Sequence, residues 1–234
     1  MSEHTYRQFD VELEAIRSRV LQMGGLVEQQ VDSAMNGLET GDMLLIDQVV
    51  NNDQRVNRFE VEIDEACNNL IAKRQPTAGD LRMVMTVVKT ITDLERIGDE
   101  AKKIARRAKS LYSNDHAINL RVRLRPAVDQ ALDMLRASLD SFARVDVSAA
   151  ADVHRQDKKV DEEFRGVIRQ LITFMMEDPR TISACLEMVW VAKSIERIGD
   201  HSKNMSEYVV YMVKGRDVRH VSVEELEREV KSGS

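Results

Sequence analysis

Two five-residue runs, Glu95-Arg96-Ile97-Gly98-Asp99 and Glu196-Arg197-Ile198-Gly199-Asp200, are identical and stand 101 positions apart. Each sets two carboxylates at i and i+4, a spacing that puts both on one helix face. With 40 acidic residues in 234, about seven such pairs arise by chance, so a single one carries no message. Recurrence at matched positions does. The same offset carries Glu28/Asp32 onto Asp129/Asp133, and an offset of 104 carries Asp53/Asn57 onto Asp157/Asp161. Only Asn57 breaks the acidic rule.

Like charges one turn apart destabilise a helix by roughly 0.2–0.5 kcal/mol per pair, so repeated pairs ask for a counter-charge. Two sources fit. Arg96, Arg197, Lys102 and Lys203 could neutralise the acids through salt bridges on a solvated face. Alternatively, hard oxygen donors in that number suit Mg²⁺, Mn²⁺, Ca²⁺ or iron inside a helix bundle. The expected ion is divalent or trivalent, with Mg, Mn, Fe and Zn as candidates.

The elements that must position these groups are helices. Scarce Gly (10) and Pro (3), with 4% aromatic residues, argue for an all-α chain. Apolar residues recur at steps of three and four. They trace Phe9, Leu13, Ile16, Val20, Met23, Val27 and Val31, then Leu45, Val49, Val56, Phe59, Ile63, Ala66 and Leu70, with polar Asn52 at a seam position. A third helix opens with Leu81, Val84, Val88 and Ile91, and its seam continues onto Glu95 and Gly98. Breaks fall at Thr40-Gly41-Asp42 and at Gln75-Pro76-Thr77, where proline cannot continue a helix interior. A second apolar stripe on that helix, Leu94, Ile97, Ala101, Ile104, Ala108 and Leu111, predicts burial on two sides.

After Ser113-Asn114-Asp115-His116 the layout returns. Leu124, Val128, Ala131, Leu135 and Phe142 seam a fourth helix that starts or kinks at Pro126. Val153, Val160, Phe164, Val167, Leu171 and Phe174 mark a fifth, and Ile182, Cys185, Val189 and Ala192 open the sixth. The architecture predicted is a tandem repeat of two three-helix bundles, residues 1–114 and 115–215. A tail follows at 216–234, where Ser222 and Glu225 form a capping box.

Other residues receive blander readings. Cys67 and Cys185 lack CxxC spacing and read as reduced core residues. Met83, Met85, Met175, Met176 and Met188 read as core fillers. Trp190 suits an interface edge, and His201 an exposed surface position. The glycines Gly98 and Gly199 imply a close approach by another helix or a ligand.

Composition then narrows the function. A net charge of −6 lacks the basic field that nucleic acid attracts. No apolar run approaches the roughly 20 residues needed to span a bilayer, and acids at Glu3, Asp10 and Glu12 argue against a secretory leader, so a cytoplasmic location is expected. No phosphate-cradling glycine loop or nucleophile elbow occurs. A carboxylate-bridged metal store or oxidase is the alternative reading, although no Glu-x-x-His unit is present.

Asp80-Leu81-Arg82, Asp93-Leu94 leading into the first repeated run, and Ser194-Ile195 leading into the second resemble the PhoU family of phosphate-response regulators, across about residues 5–214. The resemblance implies two similar three-helix bundles, often as a homodimer, and a non-enzymatic role. It implies a negative regulator of the phosphate-starvation response, linking a phosphate ABC transporter, through its ATPase subunit, to a sensor histidine kinase, and reaching the membrane through those partners only. It also implies metal at Glu95, Asp99, Glu196 and Asp200; the repeat extends the expected ligand set to Asp53, Asn57, Asp157 and Asp161.

Overall fold

The computed structural model describes residues 2–113, 122–219 and 221–231, with side chains from Gln8 to Val230 within those ranges. Seven α-helices occur among the described residues, and no strand: α1 (Ser2–Thr40), α2 (Met43–Arg74), α3 (Ala78–Ser113), α4 (Arg125–Arg144), α5 (Ala150–Glu177), α6 (Ile182–Lys214) and α7 (Val223–Lys231). None is long and apolar enough to cross a membrane. The expected bundle boundary at 114/115 lies outside the described residues.

Helices α1–α3 pack together, as do α4–α6, and the two bundles join along α3 and α6, with α1 also against α4. Turn chemistry sets the joints. Gly41 closes the α1–α2 turn at φ 71°, where a Cβ would meet the Tyr112 ring at 2.9 Å, and Asp42 caps α2 by accepting from the Leu44 and Leu45 amides. Pro126 sits in the first turn of α4, so the helix starts there rather than kinking. Asp178 ends α5 ahead of the single 3₁₀ turn Pro179–Thr181.

One continuous core runs through both bundles, from Ile16, Val20 and Met23 to Cys185, Val191 and Ile195. Apart from Leu81 at its start, which is exposed, both stripes of α3 are covered, as α3 packs against α1 and α2 in its own bundle and against α6 of the other. Cys67 and Cys185 are buried free thiols, and burial followed by the nearby Asp64 charge pushes the Cys67 thiol up to about 12.

Three expectations need correction. In α2 the buried face runs Ile46, Val49, Asp53, Val56, Ile63, Cys67 and Leu70, one residue out of phase with Leu45, Asn52 and Ala66. The helix rotates Asp53, not Asn52, onto the seam. Met85 and Met176 are exposed, Met176 by 80%, so apolar character there does not signal core. The third correction concerns His201, which is buried at the seam between the bundles.

The tail is structured. Ser222 Oγ accepts from the Glu225 amide at 3.2 Å, and the Ser222 amide donates to Glu225 at 3.0 Å, the reciprocal capping box. Leu226 and Val218 bury against Val210 and Ala150, and Arg155 pairs with Glu227, so α7 docks on the second bundle.

Candidate functional site

The repeated acids come together through α2 and α3 in the first bundle and α5 and α6 in the second. Asp53 is 3% exposed because Val49, Asp53 and Val56 follow the seam spacing of α2. Burial of a lone carboxylate is costly, and Lys102 on α3 meets the demand. Its Nζ lies 2.5 Å from Asp53 Oδ2 and 3.8 Å from Asp99 Oδ1. The second bundle copies the arrangement, with Lys203 Nζ 2.5 Å from Asp157 Oδ2 and 3.6 Å from Asp200 Oδ1. In each half a lysine one turn beyond the repeated motif reaches across to the neighbouring helix.

The motif glycines bring those helices close. A Cβ on Gly98 would lie 3.2 Å from Val56 Cγ1; one on Gly199 would lie 3.5 Å from Val160 Cγ1 and 3.7 Å from Asp157 Oδ1. The close approach anticipated for these glycines is therefore made by a helix of the same bundle.

The two copies differ in charge. Glu95 is held above the ordinary carboxylate range, first by burial and then by the charges of Asp99, Glu60 and Asp53. Glu60 is raised by burial and by Asp64. Glu196 instead forms an ion pair with Lys193. The Lys193 amine also lies 5.5 Å from the centre of the Phe164 ring, within cation–π range. Burial raises Asp157 against the opposing pull of Lys203. For Lys203, burial acts to lower the amine, yet the hydrogen bond and charge of Asp157, with Asp200 and Glu207, leave it raised.

The other expected ligands are less well placed. Asn57 is exposed and Asp161 half-buried, and neither reaches the lysine. Among the described residues no three His, Cys, Asp or Glu side chains converge so as to hold a metal ion. As arranged, each pair fits an ammonium group. The salt-bridge reading thus finds its lysines, but at a buried helix interface and not on a solvated face. The acids of α1 and α4 serve elsewhere: Arg125 joins Asp32 (2.6 Å) to Asp129 (2.9 Å), and Arg136 joins Glu28 (2.6 Å) to Asp133 (3.0 Å). These pairs bridge α1 to α4 and do not face the lysine sites.

Spacing alone missed a row of polar contacts between α3 and α6. His201 Nδ1 lies 2.7 Å from Asp93 Oδ1, Arg197 Nε lies 3.3 Å from Glu100, and Arg107 lies 3.0 Å from Glu187. Position along α3 rises as position along α6 falls, so the two helices run antiparallel. Trp190 is exposed with the Arg107 guanidinium over its ring at 5.7 Å, consistent with an interface edge. A further buried pair, His154 Nε2 and Glu207 Oε1 at 2.9 Å, sits beside Lys203 beneath the tail, where a 330 Å³ cavity is lined by His154, Asp157, Lys203, Glu207 and Arg219. The apolar pattern gave no signal for these residues: Asp93, Glu100 and Arg107 lie off both stripes of α3, Glu187, Arg197 and His201 lie off the seam of α6, and His154 lies beside Val153 and not on the seam of α5.

Comparison with known proteins matches this geometry to a family. The PhoU domain matches twice, over residues 20–108 and 124–209, one copy per bundle. The chain is 49% identical over 228 residues to the phosphate-specific transport system accessory protein PhoU of Escherichia coli (strain K12), covering 97% of this chain and 94% of that protein. It is 50% identical to the Serratia marcescens protein of the same description, covering 97% and 93%. The crystal structure of PhoU from Pseudomonas aeruginosa superposes with a TM-score of 0.85 at 46% identity, over 89% of this chain and 100% of that one. The phosphate transport system regulatory protein PhoU from Streptococcus pneumoniae superposes at 0.82 and 26% identity, over 90% and 99%. With both bundles matched and relatives near half identity along almost the whole length, the chain belongs to the PhoU family.

Proposed function

We propose that the chain is a non-enzymatic accessory protein of a phosphate-specific transport system, restraining the phosphate-starvation response as an adaptor between the transporter's ATPase subunit and a sensor histidine kinase. The observation that carries the reading is the near-complete alignment, at 49% identity, with a protein described as the accessory component of that system. The architecture supports it physically: two copies of one rigid unit, joined by a continuous core, offer two related faces that two partners can share. A homodimer and contact with the membrane through partners alone belong to the same proposal. The acidic pairs have counter-charges within the chain.

Deletion of the gene tests the role. A secreted phosphatase should be expressed constitutively in phosphate-rich medium, and the intact gene supplied in trans should silence it. Unchanged phosphatase expression in the deletion strain overturns the proposal.

A further inference from the structure

We propose that Lys102 and Lys203 are resident counter-cations that close the two acidic pairs to metal ions, and that the first bundle is closed less completely than the second. The geometry is repeated, which argues against accident. Each lysine amine stands 2.5 Å from a buried aspartate and within 4 Å of the second acid of the repeated motif. That is the place an ion bridging the two helices would take. A divalent ion must either expel the ammonium and break a charge-assisted hydrogen bond or bind beside it against like-charge repulsion.

The closure is unequal. Around Lys203 the acids are Asp157, Asp200 and Glu207, while the first acid of the motif, Glu196, has its own lysine, Lys193. The residue equivalent to Lys193 in the first bundle is Thr92, and the residue equivalent to Phe164 is Glu60. In the first bundle Glu95 instead faces the charges of Asp99, Glu60 and Asp53; Lys102 reaches Asp53 and Asp99, and the exposed Arg96 acts on Glu95 and Glu60. Asp53 Oδ1, although buried, has no hydrogen-bond partner. Removing the Lys102 amine leaves the carboxylates of Asp53 and Asp99, hard oxygen donors of the kind Mn²⁺ takes, beside a Glu95 that has Thr92 where Glu196 has Lys193. The inference holds whether or not the chain plays the regulatory role above.

The experiment uses the full chain, stripped with EDTA and titrated with Mn²⁺. Bound metal is counted by element analysis after desalting, and thermal midpoints are read with and without chelator. Wild type should retain no stoichiometric Mn²⁺ and unfold at the same temperature with or without EDTA. Lys102→Ala should take up Mn²⁺ at least about tenfold more tightly than wild type, with a thermal midpoint that rises with Mn²⁺. Lys203→Ala should gain less, since Lys193 remains. Lys102→Gln, which keeps a donor for Asp53 without the charge, carries the same expectation should the alanine variant not fold. Stoichiometric metal in wild type with an EDTA-lowered midpoint, no gain in either Lys102 variant, or a larger gain in Lys203→Ala overturns the proposal.

Discussion

The two bundles share a frame and differ in what fills it. Shifted by 101 positions, Arg107 becomes Tyr208 and Trp190 becomes Lys89. The structure shows both versions, with Arg107 over Trp190 at 5.7 Å and Lys89 over Tyr208 at 5.4 Å. Both cations lie on α3 and both rings on α6, so repeat-equivalent positions have exchanged cation for ring while the contact survived. The acidic sites kept one lysine each but parted around it, since Glu196 has Lys193 whereas Glu95 faces Glu60. Duplication preserved the geometry that holds helices together and left the local charge free to diverge. That divergence lets two similar units present different faces.

The comparison is broken most forcefully at the lysines. Lys102→Ala leaves Asp53 buried and unpaired and should destabilise the metal-free chain by about 3–5 kcal/mol in urea unfolding. Lys203→Ala should cost less, because the Asp157 side chain is 11% exposed against 4% for Asp53. Equal losses would show that the two sites are equally sealed. The tail distinguishes the bundles next. Leu226→Asp, which cannot bury its charge against Val210 and Ala150, should release α7 at a cost of about 2 kcal/mol. The readout is fast proteolysis within residues 216–231 while the bundles stay resistant.

Smaller effects sharpen the pairing. Gly199→Ala should stabilise by up to about 1 kcal/mol through helix propensity, since its added Cβ meets only ordinary contacts. Gly98→Ala should gain less, because Val56 Cγ1 lies at 3.2 Å. Chemical denaturation of the two variants side by side gives the ranking. Last comes pH. Glu95 titrates above its ordinary 4.5 in the folded chain, so its contribution is most favourable below the unfolded value and is lost as pH rises through the folded one. Glu95→Gln should therefore stabilise at pH 7 by under about 1 kcal/mol, with the gain shrinking towards pH 4. Glu196→Gln, which gives up the Lys193 pair, should show no such gain, as thermal midpoints across pH would reveal.

The architecture was largely legible because it rests on local chemistry. Step-three-and-four spacing, Pro126, the Gly41 and Gln75 breaks and the Ser222 capping box each act within a few residues of themselves. Partners across helices were legible only in part. The sequence offered Lys102 and Lys203 among the counter-charges, but only packing shows that they reach Asp53 and Asp157, 49 and 46 positions away, at a buried helix interface. The seam of α2 ran one residue out of phase because Leu45, Ile46, Val49 and Val50 are all apolar, and an apolar cluster fits two helical phases equally well. His201 was misplaced for a related reason. Its neighbour Asp200 stays half-exposed, while α3 supplies Asp93 to the next position along α6.

The adaptor role is tested most directly by asking whether the purified full-length chain holds its two partners at once. Immobilised transporter ATPase subunit should capture the chain, and the captured chain should then retain the cytoplasmic part of the sensor kinase, which the ATPase alone does not hold. Retention of the kinase to the same small extent with and without the chain would contradict the account.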